Sequence, residues 1–216
     1  GLGPAVDFAT FYQMSDTPDV LAVIDNLYLE TCFPWQRSSA IALVKEDLRR
    51  FCMRLLRLDA RNLQACLDNN TRGRHALSRS TDGKTIRLGQ IELDDPVAYA
   101  LSADLHADCC LCTVHGDLNG YNVLVDRRRE AWLIDFGTAT RGPLLHDYAS
   151  FEAFISLLLT ESSDHSLLCR WDQALFGSED LCSPAFPPDF AWNPSLAKAH
   201  QAISRLRHLA LREPRE

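Results

Sequence analysis

The chain has 216 residues, 46% of them apolar and 24% charged, values that suit a folded globular protein and argue against wholesale disorder. Its 22 Lys and Arg against 29 Asp and Glu leave a net charge of −7. That is the wrong sign for a protein whose main task is gripping phosphate backbones, so no nucleic-acid partner is expected. The longest apolar run, Phe154 to Leu159, falls far short of the roughly 20 residues a spanning helix needs, so no membrane is expected either. No basic stretch followed by an apolar core opens the chain. The expectation is a cytoplasmic protein, truncated at its start because Gly1 stands where an initiator Met would be.

In chain order, Thr17-Pro18 reads as an N-cap and first-turn pair, after which Val20, Ile24, Leu27 and Tyr28 mark one helical face. Pro34 breaks that pattern between Cys32 and Arg37. Ser38 or Ser39 then caps the strongest periodicity of the sequence: Ile41, Val44, Leu48, Phe51, Leu55 and Leu58, a helix of about five turns. A short helix through Leu63 and Leu67 follows. The polar stretch Asn69–Lys84, with Asp82-Gly83, reads as a loop or irregular hairpin. Asp95-Pro96 opens a helix carrying Val97, Leu101 and Leu105.

Beyond that point the pattern changes. Leu111–Val114, Asn122–Val125 and Ala131–Asp135 are short apolar runs, the last two joined by a charged tip, Asp126-Arg127-Arg128-Arg129-Glu130. The arginines fit a solvated turn better than an anion site. After Gly142-Pro143 helix returns: Leu144, Tyr148, Phe151, Ile155 and Leu158 form one stripe. Leu167, Leu168, Trp171 and Leu175 form another, starting from Ser162-Ser163. Ser183–Pro194 is a Pro-rich connector, and Leu196, Ala199, Ile203, Leu206 and Ala210 mark a final helix. The fold expected from these residues is mainly α with a small β-hairpin insertion. The eight cysteines sit mostly on apolar faces, and Cys109-Cys110-Leu111-Cys112 has no second pair to complete a zinc site, so buried reduced thiols are expected.

The β insertion holds the chemistry-bearing residues: His115-Gly116-Asp117-Leu118-Asn119-Gly120-Tyr121-Asn122, then Ile134-Asp135-Phe136-Gly137. A hairpin brings its two ends together, so Asn122 at the start of one strand and Asp135 at the end of the next become neighbours. An amide oxygen beside a carboxylate is a hard-oxygen pair suited to Mg²⁺ that also binds substrate phosphates. Asp117, a short loop away, is placed to accept a proton from an attacking hydroxyl, and Gly137 lets the chain turn. Each residue alone fits a structural role: Asp117 capping a turn, Asn122 satisfying loop backbone, Asp135 ending a strand. The three in this order on a strand–loop–hairpin scaffold point to chemistry.

These two segments resemble the catalytic and metal loops of the phosphotransferase family that includes aminoglycoside and choline kinases, which share the protein-kinase-like fold. The likeness is specific over about residues 113–148. It implies that residues 1–216 are a single helical C-terminal lobe of that fold: a helical start over 1–110, the catalytic loop, hairpin and metal loop over 111–142, and a substrate-side subdomain over 143–216. It also implies Asp117 as catalytic base, Asn122 and Asp135 as Mg²⁺ ligands, His115 as a packing residue, and Asp147 as a brace for the catalytic loop. The cofactors implied are Mg²⁺ with ATP or GTP, and the partners are a small-molecule hydroxyl acceptor and other domains of a longer parent chain. A weaker likeness, carried by Asn119-Gly120 and Leu144-Leu145-His146-Asp147, is to kinase-like domains associated with bacterial conflict-system ternary complexes.

Departures from the family pattern qualify the expected activity. Asn119 stands where the small-molecule kinases usually have His, so a positive charge at the phosphoryl group is missing. Gly116 replaces the Arg that pairs with a phosphorylated activation loop in many protein kinases, and Thr138–Pro143 is short for an activation segment. No Gly-rich strand–turn–strand precedes His115: Gly1-Leu2-Gly3-Pro4 is too short, Lys45 lies on the long helical pattern and Lys84 in a loop. The nucleotide-cradling β lobe is thus expected to be absent and the isolated chain weak in turnover. The alternative reading is a catalytically inactive, kinase-derived interaction module. Glu152, Glu161 and Asp164 fit solvated helix faces better than a pocket for a cationic acceptor.

Overall fold

The structure, a computed structural model, describes residues 5–39, 42–55, 61–62, 65, 77–88, 90–102 and 104–212. The expected helix through Leu63 and Leu67, the first part of the Asn69–Lys84 stretch, Gly1–Pro4, Ile41, Leu58 and Cys66 lie outside them. The chain divides into two compact units, residues 1–42 with 111–216, and residues 43–110.

Asp7, at the end of a two-residue strand, β1 (Val6–Asp7), caps α1 (Phe8–Met14) by accepting the Thr10 N–H at 2.8 Å. The next helix, α2 (Thr17–Asp25), is capped by Asp16 rather than Thr17, and Pro18 falls in its first turn, where no N–H is needed. Val20, Ile24, Leu27 and Tyr28 are buried on one face. Pro34 does not break the helical path. A π-helical turn, Asn26–Cys32, leads into α3 (Phe33–Ser38), with Pro34 in its first turn. The wider turn releases the i→i−4 register just ahead of a residue that cannot sustain it. Ser39 caps no helix among the described residues; its Oγ–H donates to the Gln36 carbonyl and the Oγ accepts the Thr113 N–H at 2.9 Å.

The second unit departs from the expected long helix. Residues 42–47 form a strand, β2 (Ala42–Asp47), and only α4 (Leu48–Leu55) is helical, burying Phe51. An antiparallel sheet follows: β3 (Leu77–Arg79), β4 (Thr85–Leu88) and β5 (Ile91–Asp94), registered Ser78↔Arg87 and Ile86↔Leu93. Its first turn runs through Gly83 at φ +67°, the left-handed region that glycine enters freely. Asp95 caps α5 (Pro96–Ser102), taking the Val97 and Ala98 N–H groups on Oδ1 at 2.8 and 3.0 Å. Lys45 is therefore an exposed strand residue, and Lys84 belongs to the β3–β4 turn.

The strand β6 (His106–Val114) neighbours β2 and starts five residues before the expected Leu111. In the first unit its last four residues pair with β9 (Thr140–Pro143), Leu111↔Pro143 through Val114↔Thr140. Between them β7 (Val123–Val125) and β8 (Ala131–Leu133) make the hairpin, Val123↔Leu133 to Val125↔Ala131, with β1 on the outer edge of β7. Its tip is a closed turn: Asp126 Oδ1 accepts the Arg128 and Glu130 N–H groups, and Arg129 pairs with Asp19 at 2.5 Å.

The helices α6 (His146–Phe154), α7 (His165–Phe176) and α8 (Pro194–Arg212) complete the core of the first unit. Leu144, Tyr148, Phe151 and Ile155 are buried, but Leu158 is 60% exposed and Leu159 takes its place at 6%. The chain over Ile155–Leu159 is π-helical, and its wider turn rotates the face by one residue. Asp164, not Ser162 or Ser163, caps α7. Phe8 meets Phe151 with ring centroids 4.9 Å apart, and Trp171, Leu175, Leu196, Ala199 and Ile203 are fully buried. No helix among the described residues is long and apolar enough to cross a membrane.

The cysteines follow no single rule. Cys32 and Cys112 are buried, Cys109, Cys110 and Cys182 are half-buried, and Cys52 and Cys169 are exposed. Both exposed cysteines lie on helices but on their outer faces, Cys52 beside the buried Phe51 of α4 and Cys169 on α7.

Candidate active site

β6 ends at Val114 and the chain turns through His115-Gly116. Gly116 sits at φ +85°, so glycine is needed here for the backbone itself, whatever charge an Arg would have carried. Asp147, in the first turn of α6 and only 1% exposed, fixes this turn. Its Oδ2 accepts the His115 N–H at 2.8 Å and its Oδ1 the Gly116 N–H at 3.0 Å. Burial pushes the Asp147 carboxyl up, against these two hydrogen bonds, which favour the charged form. Tyr28 donates its hydroxyl to the Asp147 carbonyl at 3.3 Å and stacks on Tyr148, ring centroids 4.3 Å apart.

His115 is fully buried. Its Nε2–H donates to the Ile134 carbonyl at 2.8 Å, its carbonyl accepts the Thr138 hydroxyl at 3.0 Å, and its ring lies 5.1 Å from that of Phe136. The imidazole thus ties the His115-Gly116 turn to the end of β8.

Asp117 projects into solvent. Its Oδ1 accepts from Asn119 Nδ2 at 3.1 Å and its Oδ2 from Asn122 Nδ2 at 3.2 Å. Asn122 Nδ2 also reaches the Asp117 carbonyl at 2.8 Å. The Asn119 amide is held the right way round because its Oδ1 accepts the Tyr121 N–H at 2.9 Å. The residue standing where a cation is usual therefore acts as a neutral donor that orients the carboxylate.

Asn122 accepts the Ile134 N–H on its backbone oxygen at 3.0 Å, one residue short of Asp135. Asn122 and Asp135 thus stand at the same open end of the hairpin. The sharp turn falls on Asp135 itself, at φ 60° and ψ 63°, while Gly137 is not left-handed. Aspartate enters this region at lower cost than most residues. Its Oδ1 lies 3.4 Å from where a Cβ on Gly137 would stand, so that glycine leaves room for the carboxylate rather than making the bend.

With Asn122 Nδ2 engaged by Asp117, neither Asn122 Oδ1 nor the exposed Asp135 carboxylate has a hydrogen-bond partner among the described residues. No cluster of three His, Cys, Asp or Glu side chains fit to hold a metal occurs among the described residues. The free oxygens here are one carboxylate and one amide. That set fits Mg²⁺, which usually takes one or two protein carboxylates and completes its octahedron with water and substrate phosphates.

Sequence reasoning missed three supports. Gly120 packs so closely that a Cβ would meet Phe154 Cε1 at 2.3 Å, and its carbonyl accepts the Phe8 N–H at 2.9 Å. Thr138 and Tyr28 act through the hydrogen bonds given above. Only Gly120 left any signal, as a glycine beside Asn119 in the His115–Asn122 motif. Of the acids weighed for a cationic acceptor, Glu152 is held by Arg207 and Asp164 caps α7.

A family model described as ternary complex associated domain 9 matches residues 14–216, nearly the whole chain, and the chain belongs to that family. No curated protein matches it. No solved structure matches it either.

Proposed function

We propose that this member of the ternary complex associated domain 9 family is a Mg²⁺-dependent phosphotransferase of the aminoglycoside and choline kinase type. In this reading the first unit corresponds to the helical lobe of the protein-kinase-like fold. The terminal phosphate of ATP or GTP passes to a hydroxyl of a small molecule. The observation that carries it is the joined set at the hairpin mouth: Asp117 hydrogen-bonded to Asn122, and Asn122 bonded through its backbone to the residue before Asp135.

Asn122 and Asp135 would hold the Mg²⁺, which when bound neutralises charge on the nucleotide's phosphates. Asp117 orients the acceptor hydroxyl and takes its proton. Asn119 and Asn122, one amide on each carboxylate oxygen, hold Asp117 in one rotamer without adding positive charge, so the site positions more than it neutralises. Asp147 is a positioning residue, fixing the turn that carries Asp117.

The test is transfer from γ-labelled ATP or GTP to a panel of hydroxyl acceptors with and without Mg²⁺. Asp117→Asn and Asp135→Asn should each lower transfer by roughly a hundredfold or more, the usual range for loss of a positioned base or charge-stabilising group. Undiminished turnover in either variant removes the assignment.

A second reading, an inactive kinase-derived interaction module, is favoured by the amide donor on each Asp117 oxygen. The family's description also speaks for it, since it associates such domains with ternary complexes and so supports other proteins as partners. Mg²⁺–nucleotide binding that disappears in Asp135→Asn, without any transfer, would select this reading.

A further inference from the structure

On the α6 face of the first unit, Leu145, Ala149, Ala153 and Leu157 recur at every fourth position and are all exposed. At 1.5 Å per residue this strip is about 18 Å long. Two cavities, of about 290 and 390 Å³, open along it and share Ala149, Glu152 and Phe176. Leu145 lines the first and Leu157 the second, so together they make one groove. Its large apolar groups face water: Leu157 is 77% exposed and Phe176 59%. Apolar side chains gathered in one groove, rather than scattered singly, are the kind of surface that partner chains cover.

The charges in the groove leave one sign unbalanced. Arg207 binds both Glu152 oxygens, at 2.9 and 2.6 Å, and gives its remaining nitrogen to the Leu175 and Leu181 carbonyls. That pair is satisfied. Asp172, half-buried at the Leu157 end, has no hydrogen bond or ion pair among the described residues, and burial pushes its carboxyl up. A carboxylate set into apolar surroundings gains most from a cation that arrives with its own apolar cover.

We propose that this groove docks one amphipathic α-helix of a partner protein, about three turns long. Apolar residues at i, i+3 or i+4, and i+7 lie along the α6 strip, and a Lys or Arg rests on Asp172. The length of the strip matches three helical turns, and the two alanines at its centre allow axes as close as about 8 Å. The carboxylate at one end sets the direction of the helix. None of this depends on phosphoryl transfer at Asp117.

The test uses the full chain and a displayed library of 14-residue helical peptides with a fixed apolar seam and all other positions random. Enriched peptides should carry Lys or Arg at one end of the seam. They should bind Asp172→Asn about tenfold more weakly, the scale of one lost charged contact. They should fail to bind Ala153→Arg or Ala149→Glu, two exposed-site variants whose melting temperatures show whether the fold is intact. Asp172→Lys should turn the selection toward Glu or Asp at that end. No enrichment, or equal binding to wild type and both groove variants, overturns the proposal. So does a sedimenting dimer that Ala153→Arg converts to monomer, since the groove would then belong to a second copy of this chain.

Discussion

Gly120 and Asp147 show how the His115–Asn122 segment is held by parts of the chain remote from it. The Gly120 carbonyl takes the Phe8 N–H, and its Cα lies against the Phe154 ring. Phe154 is 6% exposed and cannot swing away without opening the core. Gly120→Ala should therefore cost about 1–3 kcal/mol, the usual penalty for overpacking. Denaturant unfolding followed by circular dichroism would measure it, and an unchanged midpoint would contradict the contact. Asp117, Asn122 and Asp135 stood out in the sequence because polar residues interrupt apolar strands at motif spacing, whereas Asp147, on a helix, was singled out by the family resemblance alone. The demand on Gly120 was not legible, because it comes from an aromatic ring at the far end of α6, beyond β7, β8 and β9. Asp135 makes the same point: the left-handed residue is the aspartate, and no local pattern distinguishes it from the nearby glycine.

Elements respond to neighbours as much as to their own pattern. The apolar spacing from Val44 to Leu55 fits a helix, yet Ala42–Asp47 is a strand because β6 lies beside it to complete its backbone hydrogen bonds. In α6 the π-helical turn moves burial from Leu158 to Leu159, a shift that a fixed period of 3.6 cannot anticipate. The Pro-rich connector before α8 is docked by His200, whose Nε2–H donates to the Pro184 carbonyl at 3.1 Å while its ring lies 4.5 Å from Phe186. Burial holds this imidazole below its ordinary value of 6.5. The unfolded chain then takes up the proton first as pH falls. The stability His200 contributes is complete above about 6.5 and is lost as pH drops through the lowered folded value. Melting temperatures between pH 7.5 and 5.5 should fall more steeply for wild type than for His200→Gln, whose amide can keep the bond to Pro184. Parallel curves would refute this.

For the whole molecule, the division into two units predicts that a disturbance in one is felt chiefly there. In the second unit Arg79 forms an ion pair with Asp95, whose side chain is fully buried and also caps α5. Arg79→Ala would leave that charge buried without its cation, a change that typically costs about 3–5 kcal/mol. Hydrogen exchange should accelerate across β3, β4, β5 and α5, while the core strands β7 and β8 keep their protection. Equal acceleration in both sets would show that the units unfold as one.

The sequence by itself determined the hairpin, the gathering of Asn122 and Asp135 at its mouth and the buried faces of α2, α7 and α8, because each depends on spacing within one short segment and on side chains of the right type. Tertiary structure alone decided which apolar stretch became β2, where the π turns shifted burial, and why Gly116 and Gly120 must lack a side chain. Those outcomes depend on hydrogen bonds and steric contacts between residues far apart in the chain, and a local pattern carries no information about a neighbour that only folding brings alongside.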